Sequence, residues 1–188
     1  GNFKKAKECY IKCLNENQED YQSLYNLLYC YEKLKQNNEA IIFLRKFIDS
    51  DPYNEIAWHQ LGKLYAKSND FNKAMSAFDF SIISNEVYSS AYIEKGKLLE
   101  KVGRNVDAIK NYEISTKINS PNAFISHRIG LCHLKLGNST LAMKFFEESI
   151  QLEPNHEKSW IDLITLLQKN NELIKSQLYV KKSLEVNG

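Results

Sequence analysis

Trp58-His59-Gln60-Leu61-Gly62-Lys63-Leu64-Tyr65, a break at Ser68-Asn69-Asp70, then Ala74-Met75-Ser76-Ala77-Phe78: this stretch decides the fold. Trp58, Leu61, Gly62 and Tyr65 are spaced three, one and three apart, which predicts one face of a helix over Ile56–Lys67. Phe71, Ala74, Phe78 and Ile82 follow at spacings of three, four and four and predict a second helix. The pattern then recurs. Gly62, Gly96 and Gly130 are 34 residues apart, and Ala6, Ala40, Ala74, Ala108 and Ala142 form an unbroken series at that step. Phe78, Tyr112 and Phe146 form another, reached through Tyr10 and Leu44 and continued by Val180. A third column runs Leu24, Trp58, Tyr92, Ser126, Trp160. Several columns at one period mean an internal repeat.

Each unit reads as a helix–turn–helix. Pro52 and Pro154 fall between units, where proline precedes a helix and interrupts none. A glycine inside a helix costs roughly 0.5–1 kcal/mol relative to alanine. Its recurrence at 62, 96 and 130 predicts close approach of two helices, each glycine facing Ala74, Ala108 or Ala142. The aromatics are expected to fill the gaps between hairpins. One hairpin cannot bury both of its sides, so the units must stack.

Trp58-x-x-Leu61-Gly62-x-x-Tyr65 with Ala74-x-x-x-Phe78 resembles the tetratricopeptide repeat (TPR). Tyr92, Gly96, Leu99, Gly103, Ala108 and Tyr112 repeat the signature, as do Gly130, Gly137, Ala142, Phe146 and Pro154. The first full unit offers Leu24, Leu27, Leu28, Tyr31, Ala40 and Pro52. The last keeps Trp160, Leu163 and Leu167 but has Ile164 and Ser176 at the small positions. Asp51-Pro52-Tyr53-Asn54-Glu55 and Ala77-Phe78-Asp79-Phe80 are similar to stretches of long bacterial TPR arrays. The resemblance implies an all-α, right-handed superhelical solenoid of about eleven helices. Its units are 21–54, 55–88, 89–122, 123–156 and 157–188, after a half repeat at 1–20. The array begins mid-unit and ends without a polar capping helix, so it reads as a single solenoid cut from a longer protein. Apolar ends at Phe3 and Tyr10, and at Leu173, Leu178 and Leu184, predict end-to-end self-association.

Composition narrows the function. Basic and acidic residues number 25 and 23, a net charge of +2, and only Arg45, Arg104 and Arg128 are arginines. Nucleic-acid binding needs a basic excess, led by arginine, so no nucleic acid is expected. No stretch approaches the length of a membrane span, so no membrane contact is expected either. Four cysteines do not make a disulfide scaffold. Reduced, buried or half-buried thiols and a cytoplasmic location are expected. No phosphate-cradling, zinc-protease or nucleophile-elbow motif is present. His59 and His127 occupy one column two units apart, about 20 Å at ordinary helix spacing, and cannot share a metal. Neither catalysis, metal nor cofactor is therefore expected. Lys33, Lys67, Lys101, Lys135 and Lys169 sit near the ends of the first helices, where the helix dipole favours a cation; Glu32 and Glu100 dilute them as a basic stripe.

The family resemblance implies that the first helices line a concave groove holding partner peptides. The matching positions are Tyr25, Asn26, Tyr29, His59, Lys63, Ile93, Glu94, Lys97, His127 and Arg128. No three consecutive units supply the Lys/Asn/Arg set of a chaperone-tail clamp. The groove is aromatic at its start and basic further on. The expected partner is a protein or peptide segment, acidic with an apolar anchor, bound by a protein–protein interaction scaffold. The alternative is a regulatory or substrate-positioning arm of an enzyme whose catalytic domain lies elsewhere.

Overall fold

The computed structural model describes residues 2–187. Eleven helices and no strand occur among the described residues: α1 Phe3–Glu16, α2 Tyr21–Lys33, α3 Asn37–Ser50, α4 Glu55–Lys67, α5 Phe71–Ser84, α6 Ser89–Lys101, α7 Asn105–Ile118, α8 Ala123–Lys135, α9 Ser139–Leu152, α10 Glu157–Lys169 and α11 Leu173–Asn187. The all-α hairpin reading is thus correct. Contacts divide the chain into two compact units, the first ending at Glu86 and the second beginning at Val87.

The sequence signals both ends of the first helices. Asp20, Asn54 and Asn122 cap α2, α4 and α8 by accepting from the N–H of Ser23, Ala57 and Ile125. Each first helix stops at a residue with positive φ, and these too are 34 apart: Lys35, Asn69, Gly103, Gly137 and Asn171. The next N–H then reaches back five residues, as Arg104 N does to Leu99 O at 2.8 Å and Asn138 N to His133 O at 2.9 Å. This is the Schellman closure, and it explains glycine or asparagine at four of the five positions.

Within the first unit α1 packs on α2, α3 on α4 and α4 on α5. Its core gathers Leu14, Leu24, Leu27, Tyr31, Ala40, Leu44, Phe47, Ile48, Ala57 and Leu61. In the second unit α6 pairs with α7, α8 with α9 and α10 with α11. There Trp160, Leu163, Leu166 and Leu167 of α10 meet Ala142, Phe146 and Ile150 of α9.

The glycine column works differently from the sequence expectation. A Cβ on Gly62 would lie 2.6 Å from the Phe78 ring, one on Gly96 2.6 Å from Tyr112, and one on Gly130 2.7 Å from Phe146. The atoms nearest to each glycine belong to the aromatic of its own hairpin, joined at Gly130 by the Ala142 carbonyl oxygen at 3.2 Å. The other two units have aliphatic residues in both columns: Leu28 with Leu44, and Ile164 with Val180.

One further expectation is corrected. Cys9 and Cys13 are exposed, while Cys30 and Cys132 are buried; all four are free. Cys13 shares a column with Ser81, Ser115 and Ser149, all buried. Ser81 and Ser149 hydrogen-bond the first residue of the first helix in their own hairpins. Phe3 and Tyr10 are half-buried, and the exposed residues of α1 include Lys4, Lys5, Glu8 and Lys12. α11 does expose Leu173, Leu178 and Leu184.

Candidate functional site

In the first unit, Tyr25, Asn26 and Tyr29 project from α2, and His59 and Lys63 from α4. A cavity of about 280 Å³ lies between these helices, lined by Tyr25, Tyr29, Glu32, Gln60, Lys63 and Lys67 among others. Tyr25 is 40% and Tyr29 51% exposed. The Tyr29 ring takes the edge of Phe3 at 6.0 Å and has Lys33 Nζ 5.0 Å from its centre. Asn26 accepts from Gln22 at 3.3 Å. Lys67 pairs with Glu32 at 2.6 Å, and the hydrogen bond holds the Glu32 carboxyl below its ordinary range. His59 is buried, its ring 6.1 Å from Phe78. It belongs to the hairpin packing and not to the cavity surface.

In the second unit, Ile93, Glu94 and Lys97 lie on α6, and His127 and Arg128 on α8. Lys97 pairs with Glu94 at 2.8 Å and stands 5.0 Å from the Phe124 ring centre. Arg128 was expected to offer its charge to a partner. It instead donates from Nε to Glu100 Oε1 at 2.7 Å. The Glu100 side chain is only 4% exposed, and it also accepts from the Tyr112 hydroxyl at 2.7 Å and lies 3.6 Å from Lys135 Nζ. Burial and the hydrogen bond to Glu100 push the Tyr112 hydroxyl well above its ordinary range. A buried carboxylate without such partners would be strongly destabilising, so Arg128 has a structural duty.

His127 is buried as well, with Nε2 2.7 Å from Asp162 Oδ2 on α10. Beside it, His156 Nδ1 is 2.8 Å from Ser159 Oγ, which donates to Ser149 Oγ at 2.7 Å; Ser149 in turn donates to Ala123 O at 2.8 Å. Between α8 and α10 lies a cavity of about 370 Å³, lined by Phe124, His127, Arg128, His156, Ile161 and Asp162 with Leu131 and Lys158. Among the described residues no group of three His, Cys, Asp or Glu is arranged to hold a metal ion. Burial pushes the Cys132 thiol up to about 12, which leaves it inert as a nucleophile.

Glu100, Tyr112 and Asp162 escaped the sequence reading as site residues. A signal existed for two of them. Asp162 ends the polar column Asn26, Gln60, Glu94, Arg128, Asp162. Glu100 stands in the mixed column Glu32, Ala66, Glu100, Leu134, Gln168, whose apolar members are the weaker signal.

The family model for the tetratricopeptide repeat matches residues 21–54, 56–79 and 125–156. At these three places the chain carries tetratricopeptide repeats. Curated relatives include anaphase-promoting complex subunit 3 of Schizosaccharomyces pombe, 24% identical over 77% of this chain. A TPR repeat-containing protein of Methanocaldococcus jannaschii is 26% identical over 84% of it. The TPR chain spans only 22% and 28% of these relatives' lengths. Among solved structures, MamA superposes with a TM-score of 0.77 at 20% identity, covering 83% of this chain and 91% of that one. YrrB, described as a TPR protein with an unusual peptide-binding site, gives 0.73 at 16% identity over 96% and 93%. These likenesses match the TPR fold. No described helix is long and apolar enough to cross a membrane.

A pH dependence follows from the second unit of the TPR chain. Burial lowers the pKa of both His127 and His133 from the ordinary 6.5, against the pull of Asp162 and Glu113. Below 6.5 the unfolded chain therefore binds more protons than the native one, and stability falls with pH. Urea midpoints between pH 7 and 5 are expected to decrease, and His127→Gln with His133→Gln to remove most of that slope.

Proposed function

We propose that the chain is a protein–protein interaction scaffold, and that its first helices hold a partner segment which is acidic and carries an apolar anchor. The TPR fold supports the scaffold role in general. YrrB is described by its peptide-binding site, and the fission yeast relative is a subunit of a multi-protein complex. The observation that carries the finer reading is the α2–α4 cavity. Tyr25 and Tyr29 stand exposed at its edge. Aromatic side chains supply large contact area at small rotamer entropy, and Lys63 supplies a cation for a carboxylate. His59, His127 and Arg128 have packing or ion-pair duties, so the contact set in the first unit narrows to Tyr25, Asn26, Tyr29 and Lys63. In the second unit Ile93, Glu94, Lys97 and the α8–α10 cavity take that part.

Affinity capture with the full-length protein, followed by titration of the captured segment, tests the reading. Tyr29→Ala is expected to weaken binding by about 2 kcal/mol, the size of an interface hot spot. Lys63→Glu is expected to slow association and reduce its salt sensitivity. Unchanged binding in both variants would sink the proposal.

A further inference from the structure

The first unit has a second cavity, about 460 Å³, which shares no lining residue with the α2–α4 cavity. It opens between the second helices α3 and α5 and is floored by α4. Its walls are Ile48, Trp58, Leu61, Tyr65, Ala77 and Phe80, with Arg45, Asp49 and Lys73 at the rim. Trp58 and Phe80 stack at 4.7 Å, and Phe80 is 48% exposed. The volume falls within the roughly 300–1,000 Å³ of ordinary ligand sites.

The repeat itself shows why this space is open. Ala77 occupies a column whose other members are Phe43, Asn111, Phe145 and Tyr179. Phe43 packs on Tyr31 at 6.3 Å, and Phe145 lies flat on His133 at 5.5 Å and 14°. Tyr31 and His133 share the column of Tyr65. Tyr179 packs on Trp160 at 6.0 Å, and Trp160 shares the column of Trp58. Three repeats thus cover this floor with an aromatic side chain of their own. The repeat containing Ala77 supplies a methyl group, so the rings of Tyr65 and Trp58 border empty space. The cavity stands where an aromatic ring is missing.

The rim indicates what should accompany that ring. In the last repeat the Tyr179 hydroxyl donates to Glu147 at 2.6 Å, and Glu147 shares its column with Arg45. The acceptor at this place is therefore replaced by a cation. Lys73 faces Arg45 from α5, close enough for the two like charges to act on one another. Its Nζ is 5.7 Å from the Tyr65 ring centre and is held by Asp70 at 2.7 Å. Asp49, one turn beyond Arg45, disfavours an acidic run but not a single carboxylate directed at Arg45.

We propose that this cavity is a docking site for one aromatic side chain, with a carboxylate beside it, from a segment of a partner protein. The ring would cover Tyr65, Trp58 and Phe80 as Phe43, Phe145 and Tyr179 cover their own repeats, and the carboxylate would meet Arg45.

The test uses the whole chain and three short Gly/Ser peptides with blocked ends, carrying Phe-Glu, Phe-Lys or Ala-Glu at their centre. The readout is the indole N–H resonance of Trp58, with that of Trp160 as internal reference. The Phe-Glu peptide is expected to shift Trp58 saturably in the millimolar range and to leave Trp160 in place. The Ala-Glu peptide should give no shift, and Phe-Lys should bind at least several-fold more weakly. Ala77→Phe fills the space from within and should abolish the shift. Arg45→Glu, at an exposed position, should weaken Phe-Glu binding about tenfold, equivalent to about 1.4 kcal/mol. Tyr29→Ala should change nothing, which separates this site from the α2–α4 cavity. Four results overturn the proposal: no Trp58 shift, an equal shift with Phe-Lys, unchanged binding in Arg45→Glu, or loss of the shift in Tyr29→Ala. Should Ala77→Phe fail to fold by circular dichroism, Arg45→Glu and the peptide series decide alone.

Discussion

Arg128→Ala is expected to destabilise the protein by about 3 kcal/mol, the lower end of what removing one partner of a buried ion pair costs. Glu100 would remain in place with its side chain 4% exposed. The Tyr112 hydroxyl at 2.7 Å and Lys135 at 3.6 Å would compensate it only in part. Lys135→Ala, which removes a half-exposed and more distant charge, should cost below about 1 kcal/mol. Glu100→Leu combined with Arg128→Met and Tyr112→Phe should recover most of the loss, because a buried polar cluster replaced as a whole by apolar residues of similar volume is often neutral or better and no buried hydroxyl is then left without an acceptor. Thermal unfolding checks the series; a chain of this size loses roughly 2–4 °C per kcal/mol. An Arg128→Ala variant as stable as the parent would show that the Arg128–Glu100 pair contributes nothing to stability.

Gly62→Leu is expected to cost about 3 kcal/mol or more, the upper range of overpacking. Its Cβ would sit 2.6 Å from the Phe78 ring, which is itself 1% exposed and has nowhere to go. The better helix propensity of leucine offsets less than about 1 kcal/mol. Adding Phe78→Leu should restore most of the stability, since the double variant reproduces the Leu28/Leu44 pair of the preceding repeat. A coupling of about 2 kcal/mol between the two substitutions is expected. Additive effects would mean that glycine and ring do not share one packing volume.

The period was legible because packing imposes it. Each glycine, alanine and aromatic column has one structural duty per hairpin, so the three central copies agree on residue type and the outer two stay apolar in the glycine and aromatic columns. The pairing of the small column was misread because sequence spacing gives the face of a helix, not the height of a side chain above it. Gly62 and Ala74 are both small, yet the ring of Phe78 reaches the glycine. The candidate site was harder to read for a related reason. Arg128 was visible as a cation on the right face, but its partner Glu100 lies 28 residues back on another helix. Only the assembled structure shows that the charge is already used. The same holds for His127, whose hydrogen bond reaches Asp162 35 residues on. Lys67 pairs with Glu32 at that same separation of 35, so neighbouring first helices meet at one period plus one residue, an offset that column alignment at 34 does not reveal. Tyr25 and Lys63 were legible directly as exposed positions, and Tyr29 stays 51% exposed although its ring meets Phe3.

Amide hydrogen exchange of the full-length protein, with and without its captured partner segment, tests the central claim most directly. Protection gained on binding should concentrate in α2 around Tyr25–Tyr29 and in α4 around His59–Lys63, with α1 unchanged beyond the residues near Phe3. Protection confined to other helices, with α2 and α4 exchanging as in the free protein, would contradict the account.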